Sequence, residues 1–406
     1  MAETRIYQKF RDANRDHFPR FSDREYQTRY RSIREEMGRR GLDCLLIYGH
    51  SGVASHGQAN GRWVSNYWDV IQSYVVFPLQ GEPTLIITNH CSLPLAHSMS
   101  VLEDIRHGGP FMPEAVTQRV KELNLERGNI GVSGGDMRLC GSIPHNHYVT
   151  LQNDLPNARL HESTDLIQNL RRVPSDEEMR WFEKGAELTD YAMERLVEAI
   201  RPGVRDYELY AAIHSHFGKG GLPMFALVGS TSMATPTMPY PWFYPSTRTL
   251  QKGDVVLTEI SADYWGYAGQ LCRIVALGKP TREYLDLYNV ALDVYNGVKK
   301  VLKPGTGVED VLKVTARIPE AGFTIQAPVI HGWGMYVRSP FIEIPNHRGF
   351  PIDPDYRFQN NEILQIEPNP CSQDIGRGVF FGDIHRVTPE GGKPFQKFPI
   401  DFKIID

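Results

Sequence analysis

Val329-Ile330-His331-Gly332-Trp333-Gly334 and, further on, Ile363-Leu364-Gln365-Ile366-Glu367-Pro368 are the stretches on which the reading of this chain turns. In the first, a histidine enters a turn tight enough to need glycine on both sides of Trp333. In the second, an acid closes an apolar strand just before a proline that cannot extend it. Together they aim an imidazole and a carboxylate into one cleft, so the candidate site is built on His331 and Glu367. A carboxylate that ends an apolar run also needs a partner, either a ligand or an arginine, to offset its burial.

The chain has 406 residues, more than a single core usually fills, so two domains are expected. Its formal net charge is −4 with both signs interspersed, and no basic stripe invites nucleic acid. The five cysteines, Cys44, Cys91, Cys140, Cys272 and Cys371, include no C-x-x-C pair, which fits reduced thiols and a cytoplasmic location. No apolar run approaches a membrane span, so a soluble protein with a small-molecule or peptide substrate is expected.

Residues 1–20 read as a polar arm, and Ser22 caps an amphipathic helix ended by Gly41. Short strands at 43–48, 73–77, 83–88 and 129–132, with a helix over 113–123 between them, indicate an α/β domain. The stretch Asn60–Asp69 reads as a loop rich in aromatic and polar tips. A helix over 163–170 ends the first domain, residues 1–170, and Pro174 breaks the linker into the second, residues 171–406. There a long helix runs from Asp176 to about Ile200, a second spans 206–218, and 220–244 has loop chemistry. Helices over 282–302 and 308–316 follow a strand pair, and Lys303-Pro-Gly echoes Arg201-Pro-Gly. This order of helix, Pro-Gly, helix and strand pair occurs twice, a weak internal repeat.

His-Gly-x-Gly at 331–334 and Ile-Glu-Pro at 366–368 resemble signatures of the pita-bread superfamily of creatinase, prolidase, aminopeptidase P and methionine aminopeptidase. Further matches follow in the expected order: Arg171-Arg172-Val-Pro-Ser-Asp-Glu-Glu, Pro245-Ser-Thr-Arg248 ahead of Lys252-Gly-Asp-Val-Val-Leu, and Gly266-Tyr267. The resemblance implies an α+β pita-bread catalytic domain with a pseudo-twofold repeat, preceded by an α/β creatinase-type N-terminal domain. It also implies a homodimer in which the N-terminal domain of one chain, through Arg62, Tyr67 or Trp68, lies near the other chain's site.

In metal-dependent relatives two ions are held by two aspartates, a histidine and two glutamates. Those places fall here on Glu259, Gln270, His331, Glu367 and Gly382. A neutral amide and a glycine leave too few carboxylates for a pair of divalent cations. Asp383 and His385 do not replace the lost acid, because strand alternation turns them away from the face of Gly382. The resemblance therefore points to the metal-free, creatinase-like branch, with no metal expected; a single divalent ion on Glu259, His331 and Glu367 is the lesser alternative. The positions of creatinase's catalytic histidine and guanidinium-binding glutamate fall on Trp242 and Cys272, so creatine itself is not the expected substrate.

The expected activity is metal-independent hydrolysis of a C–N bond, or elimination, on a small aromatic or cationic, carboxylated substrate. His331 is assigned acid/base chemistry with Glu367 and Glu259 orienting it or a water. Substrate contacts are assigned to Trp242, Tyr244, Tyr264, Gln270, Trp333 and Trp68, with Arg338 anchoring a carboxylate. Cys272 is read as a buried thiol and Arg273 as a structural partner. The rivals are a divergent metal-dependent Xaa-Pro peptidase or dimethylsulfoniopropionate-type lyase, and a non-catalytic peptide-binding protein.

Overall fold

The computed structural model describes residues 2–51, 57–137, 140–335, 337–347, 349–351 and 353–406. They form two compact units, residues 1–171 and 172–406. Among the described residues no helix is long and apolar enough to cross a membrane.

The first unit is built on a six-stranded sheet whose central strand, Cys44–His50, is buried over nearly its whole length. It pairs antiparallel with Gln72–Pro78 and parallel with Asn129–Ser133, the mixed order that crossover helices impose. The helix Asp23–Arg40 begins where the Ser22 side chain accepts from Glu25 N and ends at Gly41, whose φ of 67° suits glycine. Its buried residues Tyr26, Arg29, Ile33 and Met37 recur at helical spacing and face the core.

Residues 1–20, read as a polar arm, carry the helix Ala2–Asn14, held by Tyr7 stacked on His97 and by Arg11 donating to Leu102 O at 2.8 Å. One expectation fails in this unit. Within the stretch read as a loop, Ala59–Ser65 is a helix buried along its length, and only the chain after Asn66 (φ 61°) runs as loop.

The second unit opens on the helix Asp176–Ala199, whose Ser175 and Glu178 close a reciprocal capping box. Gly185 lets it approach the sheet, since a Cβ there would lie 2.2 Å from Tyr267 O. The order of long helix, short helix and strands appears first as Asp176–Ala199 and Asp206–Ile213, and again as Arg282–Val301 and Val308–Thr315. A ten-stranded sheet joins both halves. Part of the stretch read as loop, Leu222–Ser232, is a strand paired antiparallel with Asp254–Tyr264. Pro223 and Gly229 within it masked its periodicity.

Register decides which side chains share a face. Glu259 pairs with Cys272, Cys272 with Gly382, Gln365 with Ile384, and His331 with Gln365. Since alternate residues of a strand face the same way, Glu259, Cys272, His331, Gln365 and Glu367 emerge on one side of the sheet. Arg273 and Asp383 emerge on the other, where they form an ion pair at 2.8 Å.

Candidate active site

The glycine turn and the strand end place their residues side by side. His331 Nε2 lies 3.1 Å from Glu367 Oε1, and Nδ1 lies 3.1 Å from Gly332 O. With Nδ1 against a carbonyl oxygen, which only accepts, and Nε2 against a carboxyl oxygen, the contact between imidazole and Glu367 needs one proton between them. Glu367 is fixed in turn through its backbone, its N–H donating to Val329 O at 2.8 Å and its carbonyl accepting from Asn369 Nδ2 at 3.0 Å.

Glu259 completes the group from the hairpin. Tyr240 donates its hydroxyl to Glu259 Oε2 at 3.1 Å, and Gln270 Nε2 donates to Oε1. Burial first and the Glu259 carboxylate second push the Tyr240 hydroxyl well above its usual range, so it stays a phenol. Ligand atoms of Glu259, Cys272 and Glu367 lie within 4.8 Å of one another, and all three residues are buried. Burial, reinforced by the two carboxylates, raises the Cys272 thiol far above the range of a thiolate nucleophile.

Of the residues assigned from sequence, Glu259, Gln270, His331 and Glu367 are brought together. The aromatic assignments are scattered. Trp333 is fully buried and donates Nε1–H to Ala268 O at 2.8 Å, which makes it the packing floor beside His331 and not a substrate contact. Tyr264 packs edge-on against Trp181. Trp242 and Tyr244 stand in solvent, 49% and 83% exposed. Trp68 belongs to the first unit, where the Arg62 guanidinium lies 3.4 Å from its ring centre.

Arg338 is also corrected. It is buried, donates to Ser339 O, Arg172 O and Ile363 O, and forms an ion pair with Glu362 at 3.3 Å. A guanidinium so engaged braces the strands behind His331 and does not anchor a carboxylate. Gln365 escaped the sequence assignment, although strand alternation two residues before Glu367 would have found it; Tyr240 stood out in sequence only as a ring able to stack on substrate, and its role as a donor to Glu259 appears only in the fold.

The profile of the Creatinase/Prolidase N-terminal domain matches residues 29–173, and that of Metallopeptidase family M24 matches 180–389, more than half of the chain. The chain belongs to metallopeptidase family M24. It is thus an enzyme of the M24 peptidase/prolidase superfamily, with a creatinase-type domain ahead of the catalytic one. Among M24 relatives, the Xaa-Pro dipeptidase of Lactobacillus delbrueckii subsp. lactis is 25% identical over 263 residues, covering 64% of this chain and 69% of that protein. The Pyrococcus horikoshii Xaa-Pro dipeptidase is 22% identical over 261 residues, 63% of this chain and 71% of its own. The solved Xaa-Pro dipeptidase from Bacillus anthracis superposes with a TM-score of 0.75 at 20% identity, covering 94% of this chain and 100% of that one. The prolidase from Thermococcus sibiricus gives 0.78 at 18%, covering 95% and 100%. At such identities the likeness is one of fold.

The residues present do not fit the pair of metal ions that the M24 name implies. Gln270 presents an amide N–H to Glu259, a donor where a second bridging acceptor is required. At Gly382 even a Cβ would lie 2.0 Å from Ile366 O, so the strand leaves no room for a carboxylate side chain there.

Proposed function

We propose that this M24 protein is a metal-independent hydrolase of a C–N bond, or a lyase, acting on a small cationic, carboxylated substrate. The buried His331–Glu367 contact at 3.1 Å is the observation that carries the reading. The pair moves the proton, and Nδ1 stays on Gly332 O to hold the ring in place. In hydrolysis, water oxygen bonds to the carbon, the C–N bond breaks, the proton held by the pair passes to the departing nitrogen, and the surplus proton of the water returns to the pair. Glu259, steadied by Tyr240 and Gln270, holds the water or the cationic end of the substrate. Because Arg338 is engaged by Glu362, recognition rests on the cationic end.

The test combines elemental analysis of the purified protein with a screen of N-substituted amino acids, Xaa-Pro dipeptides among them, with and without EDTA. Turnover that survives EDTA, and falls by about 10²- to 10⁴-fold in His331→Ala and Glu367→Gln, is expected. Two ions per chain with EDTA-sensitive turnover overturns the proposal. One observation favours a second reading: the close approach of Glu259, Cys272 and Glu367 offers three donors to a single divalent ion. One equivalent of metal, lost in Cys272→Ala, would select it.

A further inference from the structure

Two side-chain amides beside the carboxylates have their N–H groups engaged and their carbonyl oxygens left over. Gln270 turns its amide N–H toward Glu259, an orientation fixed because a carboxylate only accepts. Its carbonyl oxygen Oε1 is then buried with no hydrogen-bond partner, on a residue 1% exposed. A second chain of contacts ends the same way. Cys272 Sγ lies 4.0 Å from Glu367 Oε2, which takes the thiol hydrogen, and the sulfur receives Gln365 Nε2 at 3.7 Å. Gln365 Oε1 is left without a partner on a residue with no exposed surface.

Each buried acceptor without a partner costs about 1–3 kcal/mol. What sets these two apart is their place, on one sheet face with two carboxylates. The groups that would satisfy them are N–H donors, and the neighbouring carboxylates favour a donor that carries positive charge.

We infer that the substrate presents a protonated amine or amidine, whose N–H groups fill Gln270 Oε1 and Gln365 Oε1 while its charge lies against Glu259 and Glu367. The inference rests on the reading of this cleft as the active site and names the class of molecule it takes. Gln270 and Gln365 are then specificity residues. They distinguish an N–H cation from a quaternary ammonium, which brings the same charge and no donors.

Three probes with one ring and different nitrogens test this by isothermal titration: benzylamine, benzamidine and benzyltrimethylammonium. Wild-type protein is expected to bind the first two at least about 10-fold more tightly than the third, the worth of one charge-assisted hydrogen bond. Gln270→Met and Gln365→Met are each expected to weaken benzylamine about 10-fold and leave benzyltrimethylammonium unchanged. Equal affinity for the three probes, binding of none, or full benzylamine affinity in both variants overturns the inference. Should the methionine variants fail to fold, the wild-type series and Gln270→Glu, expected to keep benzylamine binding, decide. His331→Ala separates the two levels of the reading. A variant that still turns over substrate sinks the acid/base assignment, whereas loss of probe discrimination in wild type sinks only this one.

Discussion

On one side of the strand Leu271–Leu277, Arg273 donates to the carbonyl oxygens of Cys272, Gly382, Phe398 and Pro399 and to Asp383 Oδ1. Asp383 Oδ2 takes the Tyr295 hydroxyl at 2.8 Å, and that hydroxyl lies 3.0 Å from His385 Nε2. On the other side, Cys272 joins Glu259, Gln270, Gln365, Glu367 and His331, and two amide oxygens have no partner. The same sheet thus carries a polar cluster in which every guanidinium N–H is used and another that leaves acceptors bare. A closed network of the first kind ties strands and helix together. An incomplete one of the second kind is tolerated where a ligand completes it.

Each cluster can be broken separately. The largest effect is expected from Asp383→Ala, which leaves the buried Arg273 guanidinium unpaired. Urea unfolding should show a loss of about 3–5 kcal/mol, whereas Glu367→Gln on the active face should cost under about 1 kcal/mol. Similar losses from the two would erase the distinction.

The closed cluster also titrates. Burial lowers His385 to about 4 from its ordinary 6.5, so the folded state resists its protonation. That stability is present above pH 6.5 and is lost as pH falls through 4, a decline of about 3 kcal/mol. Asp190, raised by burial to about 6 from 3.8, acts in the opposite sense, its contribution present at low pH and lost as pH rises through 6. Unfolding midpoints between pH 4 and 7 should fall toward acid in wild type and less steeply in His385→Asn; equal slopes would remove His385 as the cause.

Gly382→Ala probes the seam between the clusters. With Ile366 O at 2.0 Å from the new Cβ, a loss of about 1–3 kcal/mol is expected, read as a lower thermal midpoint. The smallest effect is the most discriminating. Gln365→Met removes a bare acceptor, so thermal stability should hold or rise by about 1 kcal/mol while benzylamine binding weakens. A marked fall in stability would place Gln365 among the closed, structural groups.

His331 and Glu367 stood out in sequence because each sits in a short motif whose backbone demands are local, glycines for a turn and a proline after a strand, whereas Glu259 and Gln270 were reached only through the resemblance to the metal-dependent relatives. The turned-away position of Asp383 and His385 followed from alternation alone. Arg338 and Trp333 misled because their partners, Glu362 and Ala268, are brought near only by the folded sheet. The strand Leu222–Ser232 was missed for a related reason, since it owes its place to ladder bonds with Asp254–Tyr264 and its own composition argues against it. Trp242 and Tyr244 show that aromatic rings near a motif say little about which way a loop will turn.

The close fit of Gly382 against Ile366 also limits what can be built at that position. A glutamate placed there meets a steric wall before it meets a metal. The backbone of two strands would have to part first, so laboratory evolution toward a two-ion peptidase should find its earliest gains in substitutions that loosen that seam.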